Sequence, residues 1–198
     1  MTQDYRSLPP NLPAPVDDGA ADHLPGMEVP AVRLPSTLGG EVDLAQAASA
    51  PGRLVVYVYP RTGTPGEPLP EGWDEIPGAR GCTPQSCAFR DHVTEFATLG
   101  ARLVGVSAQS PEDQAEFAAR EAIPYPLLSD EGLALARELR LPTFEAGGLT
   151  LYKRLTFVAR AGRIEHVLYP VFPPDRNAAE VLAWLAGATG NRAAHAPS

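Results

Sequence analysis

The sequence predicts an α/β protein, a central mixed β-sheet flanked by helices. Three observations carry this. Short β-branched runs alternate with helical periods from Leu54 to Leu139. A two-strand pattern around Ala161-Gly162 follows them. A last helical period, opened by Pro174-Asp175, closes the chain at about Ala186.

The elements follow in order. Residues 1–25 are rich in Pro, Asp and Ala without a period and read as an irregular arm. Met27 to Leu44, with Pro30, Pro35 and Gly39-Gly40, suits a small hairpin. Leu54-Val55-Val56-Tyr57-Val58-Tyr59, ended by Pro60, reads as a buried central strand. Arg61 to Gly81 holds four prolines and five glycines, and structureless loops of that length inside a compact domain are uncommon and usually functional or mobile. Thr83 to Leu99 reads as one helix, with Pro84 in its first turn, Phe89, Val93 and Phe96 at helical spacing, and Gly100 at its end.

Arg102 to Ser107 is the next strand. Ser110-Pro111-Glu112-Asp113 starts a helix running to about Glu121, by cap, proline and first-turn acids. Leu127-Leu128 is a short strand, and Ser129-Asp130 caps a helix to about Leu139. Leu155 to Arg160 and Arg163 to Tyr169 form the hairpin. A thioredoxin-like fold has this order, with a cysteine following the first core strand and opening the first long helix. The domain spans residues 26–187, with 67–81 as an inserted loop and 188–198 as a flexible tail.

Hydrophobic residues make up 44% of the 198 positions, enough to bury one core without staples. The formal net charge of −8, with no basic stripe, argues against a nucleic-acid partner. No apolar run is long enough to span a bilayer, and the first residues lack the apolar core of a signal peptide. The expected setting is cytoplasmic. His23, His92, His166 and His195 are widely spaced and form no metal motif, and chemistry carried by thiols alone needs no metal or organic cofactor.

Chemistry concentrates at Cys82 and Cys87, the only two cysteines. A cysteine at a helix N-terminus meets unpaired backbone N–H groups and the positive end of the dipole, which favour the nucleophilic thiolate. Glycine before it, at a loop-to-helix junction, suggests an accessible side chain. Arg80 stands two residues away, where a loop arginine is usually solvated. In an intact helix a five-residue step rises roughly 7.5 Å and turns roughly 140°. That exceeds the roughly 7 Å Cα limit for a disulfide. The two cysteines can therefore bridge only if the first turns unwind. Cys87, beside Phe89, reads by itself as a small apolar core residue.

Tyr59-Pro60-Arg61-Thr62-Gly63-Thr64-Pro65-Gly66, then Cys82-Thr83-Pro84-Gln85-Ser86-Cys87-Ala88-Phe89-Arg90-Asp91, resembles the peroxiredoxins, and among them the PrxQ or bacterioferritin comigratory protein subgroup. The resemblance covers roughly residues 25 to 186. It implies a thiol-dependent peroxidase for hydrogen peroxide or organic hydroperoxides, with Cys82 peroxidatic, Cys87 resolving and the two joined by a transient disulfide. Arg154, before Leu155-Thr156-Phe157, would be the active-site arginine; without the resemblance, an arginine beside Lys153 reads as solvated. Pro60 and Thr64 take the motif's proline and threonine if the fifteen residues Glu67–Gly81 loop out; otherwise Ala79 takes the threonine's place. Gln85 stands where the subgroup usually has Glu.

The partners implied are a peroxide and thioredoxin or a similar dithiol, with the protein a monomer or weak dimer. Trp73 reads as an anchor for the insert, or as a lid contact. A thiol–disulfide oxidoreductase, a redox-sensing or binding module, and a copper-handling protein using His166 are the alternative readings.

Overall fold

The computed structural model describes residues 6–193, with side chains to residue 188. Expectations for residues 1–5 and 194–198 fall outside that span. After an irregular stretch, β1 (Arg33–Pro35) pairs with β2 (Glu41–Asp43) across Gly39-Gly40, and α1 (Leu44–Ser49) follows, capped by the Asp43 carboxylate. Then come β3 (Arg53–Val58), α2 (Cys82–Asp91), α3 (Val93–Thr98), β4 (Ala101–Ser107), α4 (Pro111–Arg120) and β5 (Leu127–Ser129). The chain continues through α5 (Ala134–Leu139), β6 (Thr143–Ala146), β7 (Leu149–Tyr152), β8 (Leu155–Arg160), β9 (Arg163–Leu168) and α6 (Asn177–Ala193).

The main sheet has five strands in the order β5-β4-β3-β8-β9. β3, β4 and β5 are parallel, whereas β8 runs antiparallel to both β3 and β9. This is the mixed sheet and thioredoxin-like order predicted from the sequence. β3 is central and buried along its whole length, with Val55 facing Leu103 on one side and Val158 on the other. Its alternate residues feed two cores: Leu54, Val56 and Val58 pack with Phe157 and Leu135, and Val55, Tyr57 and Tyr59 with Phe89, Phe96 and Phe117. A strand covered on both faces has no polar side to show, which is why it reads as an unbroken apolar run.

Several elements differ from expectation. The single helix expected over 83–99 is two, because His92 leaves helical geometry (φ −105°, ψ 9°) and its ring bonds Glu95 at 2.9 Å in the next turn. Phe89 and Phe96, on either side of this break, still pack ring to ring at 5.5 Å. The helix expected after a Ser129-Asp130 cap starts only at Ala134, behind Leu133, although the Asp130 carboxylate still accepts from the N–H groups of Ala134 and Leu135. The hairpin β6–β7 around Gly147-Gly148 has no counterpart in the expected elements. α6 runs through residues 188–193, expected as a tail.

The insert is not structureless. It contains one 3₁₀ turn, Trp73–Glu75, and its apolar side chains form a third core. Trp73 packs there with Ala79, Ala146 and Leu151, its ring 6.2 Å from that of Phe144. β6–β7 is therefore the platform that holds the insert down.

Candidate active site

The site is built where the insert meets α2. Gly81 caps the helix from the left-handed region (φ +105°), and an added Cβ would lie 2.3 Å from Pro174 and 2.8 Å from Leu8. Only glycine takes that conformation in that space without strain. The first turn closes through Gln85 N–H to Gly81 C=O at 3.1 Å. Cys82 therefore stands at the first position of α2, in the turn whose backbone N–H groups have no intrahelical partners.

Its burial corrects one expectation. Cys82 is only 3% exposed and belongs to the aromatic core, whereas an accessible side chain was expected. The cause is the insert: Leu69 and Trp73 line the small space against Cys82, with Thr62, Arg80 and Thr83. Arg80 is likewise buried rather than solvated, and its guanidinium pairs with Asp74 at 3.1 Å.

Arg154 reaches the same point from the turn before β8, and it too is buried rather than solvated. Its Nη2 lies 3.1 Å from Cys82 Sγ and donates to the carbonyls of Ala79 (3.1 Å) and Arg80 (3.3 Å). Its Nε donates to Gly78 C=O at 3.3 Å, and its Nη1 to Gln85 Oε1. Gln85 in turn donates to Asn177 Oδ1 at 2.9 Å, which also accepts from the Thr156 hydroxyl at 2.7 Å. A cation held this firmly beside sulfur stabilises negative charge there.

Cys87 lies on a different side of α2 and is half-buried, its Sγ 3.7 Å from Glu121 Oε2. The expected environments are thus exchanged: Cys82 is in the apolar core, and Cys87 faces a buried carboxylate. Burial and the neighbouring Glu121 charge push the Cys87 thiol up, against the opposing pull of Arg90. Both thiols are free, as helix geometry requires.

α2 is further pinned from below. Tyr57 hydroxyl donates to Ser86 Oγ at 3.1 Å, and Tyr125 hydroxyl donates to Ser86 C=O at 2.9 Å. Burial pushes both phenols up, so both remain neutral donors.

Pro60 and Thr64 do not join this group. Pro60 is buried at the end of β3, where its carbonyl accepts from the Ser107 hydroxyl at 2.9 Å. Thr64 is half-buried just before the insert and does not line the space at Cys82; Thr62 does. The reason is local. Gln109 accepts from both the N–H and the hydroxyl of Thr62, and Arg120 donates to Gly63 C=O at 2.9 Å, so the chain turns away before Thr64. Ala79, the alternative for the threonine's place, does sit at the thiol: Cys82 Sγ is 3.7 Å from its carbonyl. Thr62, Asn177 and Thr156 were missed by sequence reasoning, and no local pattern marks them.

His166, the ligand a copper-handling reading would enlist, stacks on Trp184 with ring centroids 4.4 Å apart. Among the described residues no three His, Cys, Asp or Glu side chains are grouped to hold a metal ion.

Similarity to known proteins agrees with this geometry. The Redoxin family model matches residues 24–182. Peroxiredoxin Q of Gentiana triflora chloroplasts is 34% identical over 188 residues, covering 92% of this chain and 78% of that protein. Its counterpart from Sedum lineare is 35% identical over 161 residues, covering 81% and 76%. Among solved structures, Peroxidoxin BcpB from Mycobacterium tuberculosis superposes with a TM-score of 0.67 at 30% identity, covering 83% of this chain and 98% of that one. A buried cysteine opening α2, an arginine at its sulfur and these relatives together place the chain in the peroxiredoxins, in the PrxQ or bacterioferritin comigratory protein subgroup.

Proposed function

We propose that Cys82 is the peroxidatic cysteine of this thiol-dependent peroxidase, that Cys87 resolves it, and that Arg154 stabilises the charge in between. The observation that carries the reading is the 3.1 Å approach of the Arg154 guanidinium to a buried Cys82 Sγ at a helix start.

The Cys82 thiolate attacks the terminal oxygen of a hydroperoxide, an S–O bond forms, and the O–O bond breaks. The remaining oxygen leaves as water or an alcohol after taking a proton. Arg154 and the α2 N–H groups hold the negative charge that develops along the breaking bond. Cys82 is oxidised to a sulfenic acid. Cys87 then attacks that sulfur, water leaves, and a disulfide forms. The step requires the early turns of α2 to open, because Cys87 starts against Glu121. A dithiol, for which thioredoxin is our choice, reduces the disulfide by exchange and restores both thiols. The protein acts as a monomer or weak dimer in this scheme.

Two variants test the assignment. Cys82→Ser should abolish peroxide consumption; turnover matching the wild type would end the proposal. Cys87→Ser should still form the sulfenic acid, trapped with dimedone, without the intramolecular disulfide. Undiminished recycling by thioredoxin in that variant would remove Cys87 from the resolving role.

A further inference from the structure

We infer that residues 64–77 are a size-selective lid, whose inner wall of Leu69 and Trp73 restricts Cys82 to the smallest hydroperoxides. The inference rests on the peroxidase reading above and adds its substrate class.

The space against Cys82 measures about 10 Å³. That is at the lower limit for a single water molecule. Hydrogen peroxide has two oxygen atoms and needs a small outward shift of the lid. A tertiary hydroperoxide carries a carbon skeleton and needs the wall itself to leave. That wall is tied down at three points. Arg120 and Gln109 hold its start at Thr62-Gly63, and Arg154 holds its end at Gly78, Ala79 and Arg80. In the middle, Trp73 is 4% exposed and inserted into the core on β6–β7, and Asp74 pairs with the buried Arg80 beside the thiol. Pulling Trp73 out exposes an indole and breaks that pair, so bulky substrates bear a cost that hydrogen peroxide does not.

A larger apolar hollow of about 380 Å³ lies on the other side of Gly78, between Pro15, Val16, Ile76, Phe144 and Pro170. Its lining reaches Arg154 but does not include Cys82. Gly78 and Arg154 line the hollow, and of its lining it is Arg154, held on the Gly78 and Ala79 carbonyls, that reaches Sγ. An organic tail seated there would leave its peroxide away from Sγ while the lid is closed.

The experiment compares kcat/KM for hydrogen peroxide and cumene hydroperoxide in the full chain, for wild type, Leu69→Ala and Trp73→Leu. The wild type should favour hydrogen peroxide. The ratio of cumene hydroperoxide to hydrogen peroxide should rise roughly tenfold or more in each variant, the scale set by freeing a few methylenes in an apolar wall. Leu69 is half-buried and packs on the edge of the Trp73 cluster, not at its buried centre, so Leu69→Ala disturbs the anchor less and decides the matter if Trp73→Leu does not fold. A wild type that prefers cumene hydroperoxide, or a ratio unchanged in Leu69→Ala, overturns the lid. Failure of the underlying peroxidase reading looks different: hydrogen peroxide turnover would then be the same in wild type and Cys82→Ser.

Discussion

Arg154 aims all three guanidinium nitrogens at one small region: the Cys82 sulfur, the carbonyls of residues 78–80, and Gln85. It serves both charge and architecture. Gln85 matters to this because it is neutral. It accepts from Arg154 without adding a negative charge beside the thiol, and the Gln85–Asn177–Thr156 line fixes its orientation. Gln85 is thus a positioning residue, not a catalytic one. Arg154→Ala should lower the second-order rate of the peroxide step by roughly 10²-fold, the usual loss for one buried donor to developing charge. Arg154→Lys should recover part of that loss, since it keeps the charge and loses the fork. Stopped-flow tryptophan fluorescence during oxidation measures both; a rate unchanged in Arg154→Ala would remove the arginine from the mechanism.

At the scale of the element, α2 is one helix with two unlike cysteine environments. Its N-terminal turns are pinned by Arg154, Tyr57 and Tyr125. Its later turns are pinned by Arg90 donating to Glu121 C=O at 2.7 Å and by the approach of Cys87 to Glu121. Glu121 itself is buried and bonded to Arg6 and Arg120. Burial first, and then the Glu121 charge beside it, keep this thiol protonated to higher pH than usual, against the pull of Arg90. In the Cys82→Ser background, alkylation of Cys87 by iodoacetamide should therefore have its pH midpoint above the ordinary thiol value. Glu121→Gln should move the midpoint down and speed alkylation at pH 8. A midpoint that does not move would show that burial alone, and not Glu121, holds the thiol protonated.

At the scale of the whole molecule, the irregular N-terminal stretch is packed into the fold. Ala21 and Leu24 are buried in the first core, Leu8 lies over Gly81, and Pro15 lies against Gly78. Asp18 bonds Lys153 at 2.6 Å and Tyr169 at 2.7 Å, which together bring its carboxyl down to about 2. This stretch thus covers both the outer side of the insert and the start of α2. Removing residues 1–16 should destabilise the fold, and each kcal/mol of lost stability should lower the thermal midpoint by about 2–4 °C. It should also make Cys82 react faster with a maleimide, because the insert loses its outer support. Equal maleimide rates in full-length and shortened chains would show that the stretch does not brace the site.

Much of this was legible because it is local. The buried β3, the glycine-to-helix junction at Cys82 and the cysteine spacing depend on residues close together in sequence, as does the Ser110 cap, whose hydroxyl accepts from Asp113 N–H at 3.1 Å. What stayed hidden depends on distant partners. The β6–β7 hairpin carries a local turn signal in Gly147-Gly148, but its use as the platform for Trp73 depends on a residue about seventy positions away and is not announced there. Thr62 rather than Thr64 lines the site because Gln109 and Arg120, about fifty residues on, hold the chain there. The sequence by itself determined the α/β order, the chemistry available at Cys82, and the rule that an intact α2 keeps Cys87 out of disulfide reach. Only the tertiary structure decided that Cys82 is covered, that Arg154 meets its sulfur, and that Cys87 rests on a carboxylate. Each of those joins residues far apart in the chain, and such meetings exist only once the sheet has brought their elements together.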